Sequence, residues 1–363
     1  MVETADVVVI GAGVVGLAAG RAFARLGRDV LVLERNSTIG GETSSRNSGV
    51  IHGGIYYPNK SLKAHLCVRG KQLLYAFCEE YDVEYKRCGK IIVATDQSEL
   101  PQLRNLEQRA LANGVDDLHR LKKQTVQHLE PEIRCEEGLL SPSTGVVDTS
   151  TLLARLQADL EIHGGELVPN TLVTGLSYSK EICLEVEDLL LKPKLVINCA
   201  GLSASSLARD LGINHEQFFA KGHYYEYRLH SINKPLFKHL IYPIATSETI
   251  GIHITVDVHH NVKFGPDVQW IQDVNYEFDE SRKSVFVNAI KRYYPNLVED
   301  ALRPSYTGIR TKLVSEGQGF ADFRIRGPKE TQIPGYIEAV GVDSPGLTSA
   351  LAIGEYLVAL DSD

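Results

Sequence analysis

Asp6-Val7-Val8-Val9-Ile10, running into Gly11-Ala12-Gly13-Val14-Val15-Gly16, is the stretch that decides the fold. A short apolar β-branched run reads as a buried parallel strand. It ends in G-x-G-x-x-G, and the amphipathic run from Leu17 to Leu26 follows as a helix. Gly11 permits the tight strand-to-helix turn, Gly13 lets a pyrophosphate approach the backbone, and Gly16 lets helix and strand pack closely. The unpaired N–H groups at the start of that helix, with Val14 and Val15 beside them, then hold phosphates on the positive end of its dipole. Gly27 closes the helix, and Asp29-Val30-Leu31-Val32-Leu33 reads as the next parallel strand. Glu34 stands at its end, at the spacing of the acid that accepts from a ribose 2′-OH, with Arg35 next to it. A bound dinucleotide is expected.

The chain has 363 residues, enough for two domains or one large one with an insertion. A hydrophobic content of 43% supports a substantial core. The net charge is −8 and no lysine or arginine block occurs, which argues against nucleic acid or an anionic membrane as partner. Six cysteines lie scattered without a C-x-x-C pair, so neither a disulfide framework nor a metal site is expected. The first strand begins too early to leave room for a signal or transit peptide. No apolar run approaches the roughly 20 residues of a membrane span. These features predict a soluble, cytoplasmic protein, mitochondrial only where a presequence has been removed.

After Glu34 comes a polar, glycine-rich loop, Gly40-Gly41-Glu42-Thr43-Ser44-Ser45-Arg46-Asn47-Ser48-Gly49, suited to backbone passing close to a flat polar ligand. Val50-Ile51-His52-Gly53-Gly54-Ile55-Tyr56-Tyr57-Pro58 follows, then a helical run from Ser61 through Tyr81. The combination G-A-G-V-V-G, the stretch Ser44 to Pro58, and Leu62-Lys63-Ala64 with Leu66-Cys67-Val68-Arg69-Gly70 resembles the FAD-dependent D-amino-acid-oxidase-type superfamily. Within it the nearest resemblance is to L-2-hydroxyglutarate dehydrogenases and oxidases. The resemblance implies FAD as cofactor, with Thr43, Ser44, Ser45, Asn47, Ser48, Gly49, Val50 and His52 along the pyrophosphate and flavin. It implies an α/β fold: a Rossmann-like, glutathione-reductase-type FAD domain with a second, antiparallel-sheet α+β substrate domain.

Further along, Gly89 to Ala94 reads as a strand entering the second domain, and Leu100 to Asn113 as a helix. Thr125 is expected to cap a helix that stops before Pro131. Thr149 or Ser150 is expected to cap another that runs through His163 and ends at Gly164-Gly165. Thr171 to Leu176 reads as a strand, and the resemblance places Val173 at the adenine. Lys194 to Asn198 is another buried strand, ending in Cys199-Ala200-Gly201, and the resemblance puts Ala200 and Gly201 near the cofactor. From Lys221 to about Thr307, strand-like segments with aromatics (among them 224–229, 240–244, 250–256 and 262–266) predict an antiparallel sheet over the flavin. Ser281 to Tyr294 reads as a helix. The chain returns with the strand 335–341 and a C-terminal helix opened by Ser344-Pro345-Gly346-Leu347-Thr348, which is similar to the family's last flavin motif. There the helix N-terminus would stabilise negative charge on the flavin pyrimidine. The expected division is 1–88, 142–219 and 311–363 for the FAD domain, and 89–141 with 220–310 for the substrate domain.

Oxidising a 2-hydroxy acid by hydride transfer to flavin N5 needs a base near the hydroxyl and cations for the carboxylate. Arg310, in Gly308-Ile309-Arg310, matches the family's G-[IV]-R motif and is the expected carboxylate clamp, arginine binding carboxylates bidentately. Lys312, two residues on, points to the same side of a strand and is a candidate for a second carboxylate. His253, in Gly251-Ile252-His253-Ile254-Thr255, matches a G-x-H-x-T strand and is the leading general base. His52 competes with it, since in some relatives a nearby histidine carries the flavin covalently. Lys221 and Tyr242 are expected as hydrogen-bond donors in the same cavity. Three functions compete: an L-2-hydroxyglutarate-type dehydrogenase or oxidase, an amino-acid or amine oxidase of the same superfamily, and a flavin-binding partner protein without turnover. For the enzymes the electron acceptor stays open among oxygen, a quinone and an electron-transfer protein.

Overall fold

The computed structural model describes residues 2–187, 189–229, 235–244 and 251–362. The strand Val2–Ile10 lies inside a sheet, with Leu189–Asn198 on one side and Val30–Leu33 on the other, all parallel. Glu166–Val168 extends the sheet beyond Val30–Leu33, and Tyr336–Val340 pairs in parallel with Leu189–Asn198. Both faces are covered, which is why Val7, Val8 and Val9 are all fully buried. Val7 and Val9 pack with Leu17, Leu156 and Ile353 from the helices Val14–Ala24, Thr149–Ile162 and Gly346–Ser362. Val8 and Ile10 face the other way, onto Leu176, Leu184 and Leu207. Leu184 belongs to Ile182–Val186, an antiparallel strand that the sequence reading did not anticipate.

A second sheet runs in the order Gln269–Ile271, Phe218–Tyr227, Val262–Phe264, Ile254–Val256, Leu240–Pro243, Lys90–Ala94, Glu137–Ser141, His119–Lys122. The long strand Leu302–Lys312 pairs with Phe218–Tyr227. Its pairings are antiparallel, as expected, with one exception: Leu240–Pro243 and Lys90–Ala94 run parallel. Those strands come from separate chain segments, and nothing local in either fixes their relative direction. Ile91, Ile241, Tyr225, Phe264 and Phe286 fill this layer's core.

Local details depart from expectation in places. Asp148, rather than Thr149 or Ser150, caps the helix Thr149–Ile162, its carboxylate accepting from the backbone of Ser150 and Thr151. A carboxylate one residue earlier reaches the free N–H groups better than either hydroxyl. Thr125 lies inside the helix Lys123–Leu129 instead of capping it. The expected strand 250–256 is regular only over Ile254–Val256, and Ile250 is outside the described residues. The 281–294 segment is helical over Lys283–Lys291, after a turn of 3-10 helix. Among the described residues no helix is long and apolar enough to cross a membrane.

Candidate functional site

A cavity of about 540 Å³ lies between the two sheets, within the range of roughly 300–1,000 Å³ for cofactor and ligand clefts. The turn that opens the chain forms one wall: Gly11, Gly13, Val14 and Val15 line it at the start of the helix Val14–Ala24. The Val14 N–H donates to Ser44 Oγ at 2.9 Å, which ties the serine loop to the helix N-terminus. Glu34 is buried: one oxygen accepts from the Ala12 N–H at 2.8 Å, the other from Asn36 N and Nδ2 at 2.9 and 2.8 Å. A carboxylate offers about four lone-pair sites, so one remains for a ribose hydroxyl. Arg35 pairs with Glu42 and reaches Ser203 Oγ at 3.2 Å, and all three line the cavity. Val173, Ala200 and Gly201 line it as well, as do Thr43, Ser44, Asn47, Ser48 and Val50.

Four expected cofactor residues, Gly16, Ser45, Gly49 and Thr348, stand behind the wall. A Cβ on Gly16 would overlap the Gly11 carbonyl oxygen, so this glycine serves helix-on-strand packing. The Ser45 hydroxyl donates to Glu42 O, and the Gly49 N–H to Asn47 Oδ1 at 2.7 Å, folding the loop on itself. The Thr348 hydroxyl accepts from the His52 N–H at 2.9 Å and donates to Val50 O at 3.2 Å. Gly308 is needed for space, since a Cβ there would strike the Arg46 carbonyl of the same loop.

The opposite end gathers the chemistry. Ser344, Pro345, Gly346 and Leu347, at the start of the C-terminal helix, line the cavity together with Arg310, Tyr242, His253, His52, Tyr224 and Asp343. The antiparallel register Ile241↔Ile254 sets Tyr242 beside His253, and their rings stack at 3.5 Å with 7° between planes. Burial, and then the charges of Lys90 and Arg310, hold His253 well below the ordinary histidine range. The same causes push His52 down to about 3. Both imidazoles are therefore neutral and have a lone pair to offer. The His52 Nδ1 has no hydrogen-bond partner among the described residues, and its Nε2 lies 3.4 Å from Ser344 Oγ.

Two expected substrate contacts need correction. Lys221 lies opposite Ile309 in the Phe218–Tyr227 strand, so it projects away from the face of Gly222, Gly308 and Arg310. Its ammonium donates to Glu277 O at 2.9 Å, outside the cavity wall. Lys312 does share a side with Arg310, but its ammonium sits 2.5 Å from Asp343, whose other oxygen holds Lys63 at 2.7 Å. Burial raises the Asp343 carboxyl, yet the two lysines together keep it below the ordinary range. Lys312 is thus engaged before any substrate arrives. Sequence reasoning passed over Arg46, Tyr224 and Asp343 on the wall, and Lys90 and Tyr56 behind it. A lone lysine heading an apolar strand was the one available signal for Lys90.

The donor set fits FAD: helix N–H groups for phosphates, a carboxylate with a spare lone pair for the ribose, and a second helix N-terminus at the ring end. The comparisons with known proteins agree. Residues 6–360 match the family model DAO, described as FAD dependent oxidoreductase. L-2-hydroxyglutarate dehydrogenase, mitochondrial, of Arabidopsis thaliana is 40% identical over 98% of this chain and 83% of its own length. The dithionite-reduced, FAD-bound L-alpha-glycerophosphate oxidase of Mycoplasma pneumoniae superposes with a TM-score of 0.90 at 25% identity, over 99% of this chain and 95% of that one. Glycine oxidase of Geobacillus kaustophilus shares the fold, with a TM-score of 0.85 at 19% identity over 99% and 95% of the two chains.

Proposed function

The chain belongs to the DAO family of FAD-dependent oxidoreductases, and from that premise we propose that it oxidises a small L-2-hydroxyglutarate-like 2-hydroxy acid to the 2-keto acid. FAD, when bound, supplies the acceptor for the hydride and is held by Gly11, Gly13, Val14, Val15, Glu34, Ser44 and the Gly346 helix N-terminus. Arg310 clamps the carboxylate next to the reacting carbon through paired N–H donors. His253, neutral before substrate arrives, takes the hydroxyl proton on its ring nitrogen, while the Tyr242 ring stacked on it fixes the imidazole plane. Carboxylate binding at Arg310 offsets one of the cations that depress His253, so the base strengthens once substrate is seated. His52, also neutral, is the second histidine able to accept that proton. Within this reading 1–88, 142–219 and 311–363 form the FAD domain, and 89–141 with 220–310 form the substrate domain.

One observation carries the reading: Arg310, Tyr242 and His253 meet at one end of the same cavity whose other wall is the N-terminal glycine turn. An anaerobic panel tests it. L-2-hydroxyglutarate should bleach the bound flavin, with its D enantiomer and L-glutamate far slower. The structural likeness to glycine oxidase favours the second reading, an amino-acid oxidase, and bleaching by amino acids alone would establish that instead.

A further inference from the structure

Lys90 is the unexplained charge near this site. It heads the strand Lys90–Ala94 and is fully buried, and its ammonium has no hydrogen-bond partner among the described residues. Among the described residues the other buried lysines are engaged, Lys63 by Asp343 and Lys221 by Glu277 O. The register Leu240↔Lys90 sets Lys90 on the face of the sheet that carries Tyr242. There the ammonium lies 4.6 Å from the Tyr56 ring centre and 4.7 Å from that of Tyr242. Ring faces attract a cation, but they replace only part of its lost hydration. No carboxylate among the described residues pairs with this ammonium, and Lys312, expected to receive a second carboxylate, is already bound to Asp343.

We propose that Lys90 is the second cation of the site and receives the far carboxylate of a dicarboxylate substrate, so that Lys90 sets the preference for diacids over monocarboxylates. The proposal rests on the reading of the site as that of a 2-hydroxy acid oxidoreductase. The Tyr242 ring, 4.7 Å from the Lys90 ammonium, stacks on His253 at 3.5 Å, and Arg310 lines the same cavity as these two rings. A five-carbon diacid separates its carboxyl carbons by roughly 5 Å when extended, which suits a ligand held at both ends over those rings. The lysine stem is flexible enough for the ammonium to follow a carboxylate. Tyr242, whose phenol burial keeps protonated, lines the cavity in front of it as a donor. A monocarboxylate would leave the buried ammonium unpaired, and unpaired buried groups are what make a site reject an analogue.

The test uses FAD-loaded protein, with glutarate and pentanoate as dead-end ligands followed by perturbation of the flavin spectrum, and L-2-hydroxyglutarate reduction under nitrogen as a parallel arm. Wild type should bind glutarate about 10- to 100-fold tighter than pentanoate. Lys90→Met should bring the two within about three-fold by weakening glutarate alone, and Lys90→Arg should keep a preference. Equal weakening of both ligands, or an intact preference in Lys90→Met, overturns the proposal while leaving the hydroxy-acid reading in place. Failure of wild type to be reduced by L-2-hydroxyglutarate overturns that reading, and this proposal with it. Wild type alone gives a second readout. Around the ammonium stand Tyr56, Tyr242, Cys67, His52, His253 and Lys71; the phenols and Cys67 are pushed up and the imidazoles down. Lys90, lowered by burial to about 7, is left to titrate. The glutarate preference should therefore fall about tenfold per pH unit between about pH 8 and 9, and a flat preference refutes the assignment.

Discussion

Lys90→Met should stabilise the ligand-free holoprotein. Lys90 falls from the ordinary 10.5 to about 7, chiefly because burial disfavours the charged form. A shift of that size corresponds to roughly 4–5 kcal/mol of lost stability at and below neutral pH. Contacts with two tyrosine rings return about 1–2 kcal/mol, so the methionine variant should gain about 2–4 kcal/mol near pH 7. The sign follows from proton binding. Between about 7 and 10.5 the unfolded chain carries a proton on this lysine that the native state lacks, so wild-type stability rises with pH there. The methionine variant has no such term, and its advantage should shrink as pH rises above about 7 and be nearly gone by about 10.5. Urea titrations at fixed, saturating FAD, run at several pH values, measure the gap. A variant less stable than wild type at neutral pH, or a gap that does not change with pH, would show that the ammonium is already compensated and refute the reasoning.

Other outcomes follow from the same geometry. His253→Ala should slow flavin reduction about 10²- to 10⁴-fold with FAD content unchanged, read by stopped-flow absorbance. Arg310→Lys should lower kcat/KM by about 100-fold or more, because one ammonium cannot reproduce two parallel N–H donors; steady-state kinetics measure it. Asp343→Asn strands Lys63 and Lys312, and should cost about 3–5 kcal/mol in denaturant titration. For His52, lowered from 6.5 to about 3 mainly by burial, the unfolded state binds the extra proton in between. Its contribution is thus complete above about 6.5 and is lost as pH falls, so His52→Gln should flatten the Tm-versus-pH profile between about pH 4 and 6.

The cofactor wall was legible because its signals are local. Strand, glycines, helix and Glu34 all fall within some thirty residues, and Gly16 answers to Gly11 in the same turn. The substrate end was legible only in part. Arg310, Tyr242 and His253 could be singled out by residue type and motif, and the cavity brings them together. What sequence could not disclose were partners far along the chain: Asp343 for Lys312 and Lys63, the Glu277 carbonyl for Lys221, the tyrosine rings for Lys90. A lysine's type says that it seeks an anion, and only tertiary packing says whether it has found one. The parallel pairing of Leu240–Pro243 with Lys90–Ala94 escaped for a related reason, since strand direction is set by the path of the whole chain. Asp148 is a smaller case, in which neighbouring residues can each cap and geometry selects one.

The central claim is that this cavity seats FAD with Arg310 and His253 arranged to oxidise a 2-hydroxy acid. A single anaerobic turnover tests it most directly: yellow holoprotein is mixed with excess L-2-hydroxyglutarate, and the 2-oxo acid formed is counted against the flavin bleached. The account predicts about one 2-oxo acid per flavin, with Arg310→Met forming it far more slowly. Flavin that stays oxidised, or that bleaches without any 2-oxo acid appearing, would contradict it.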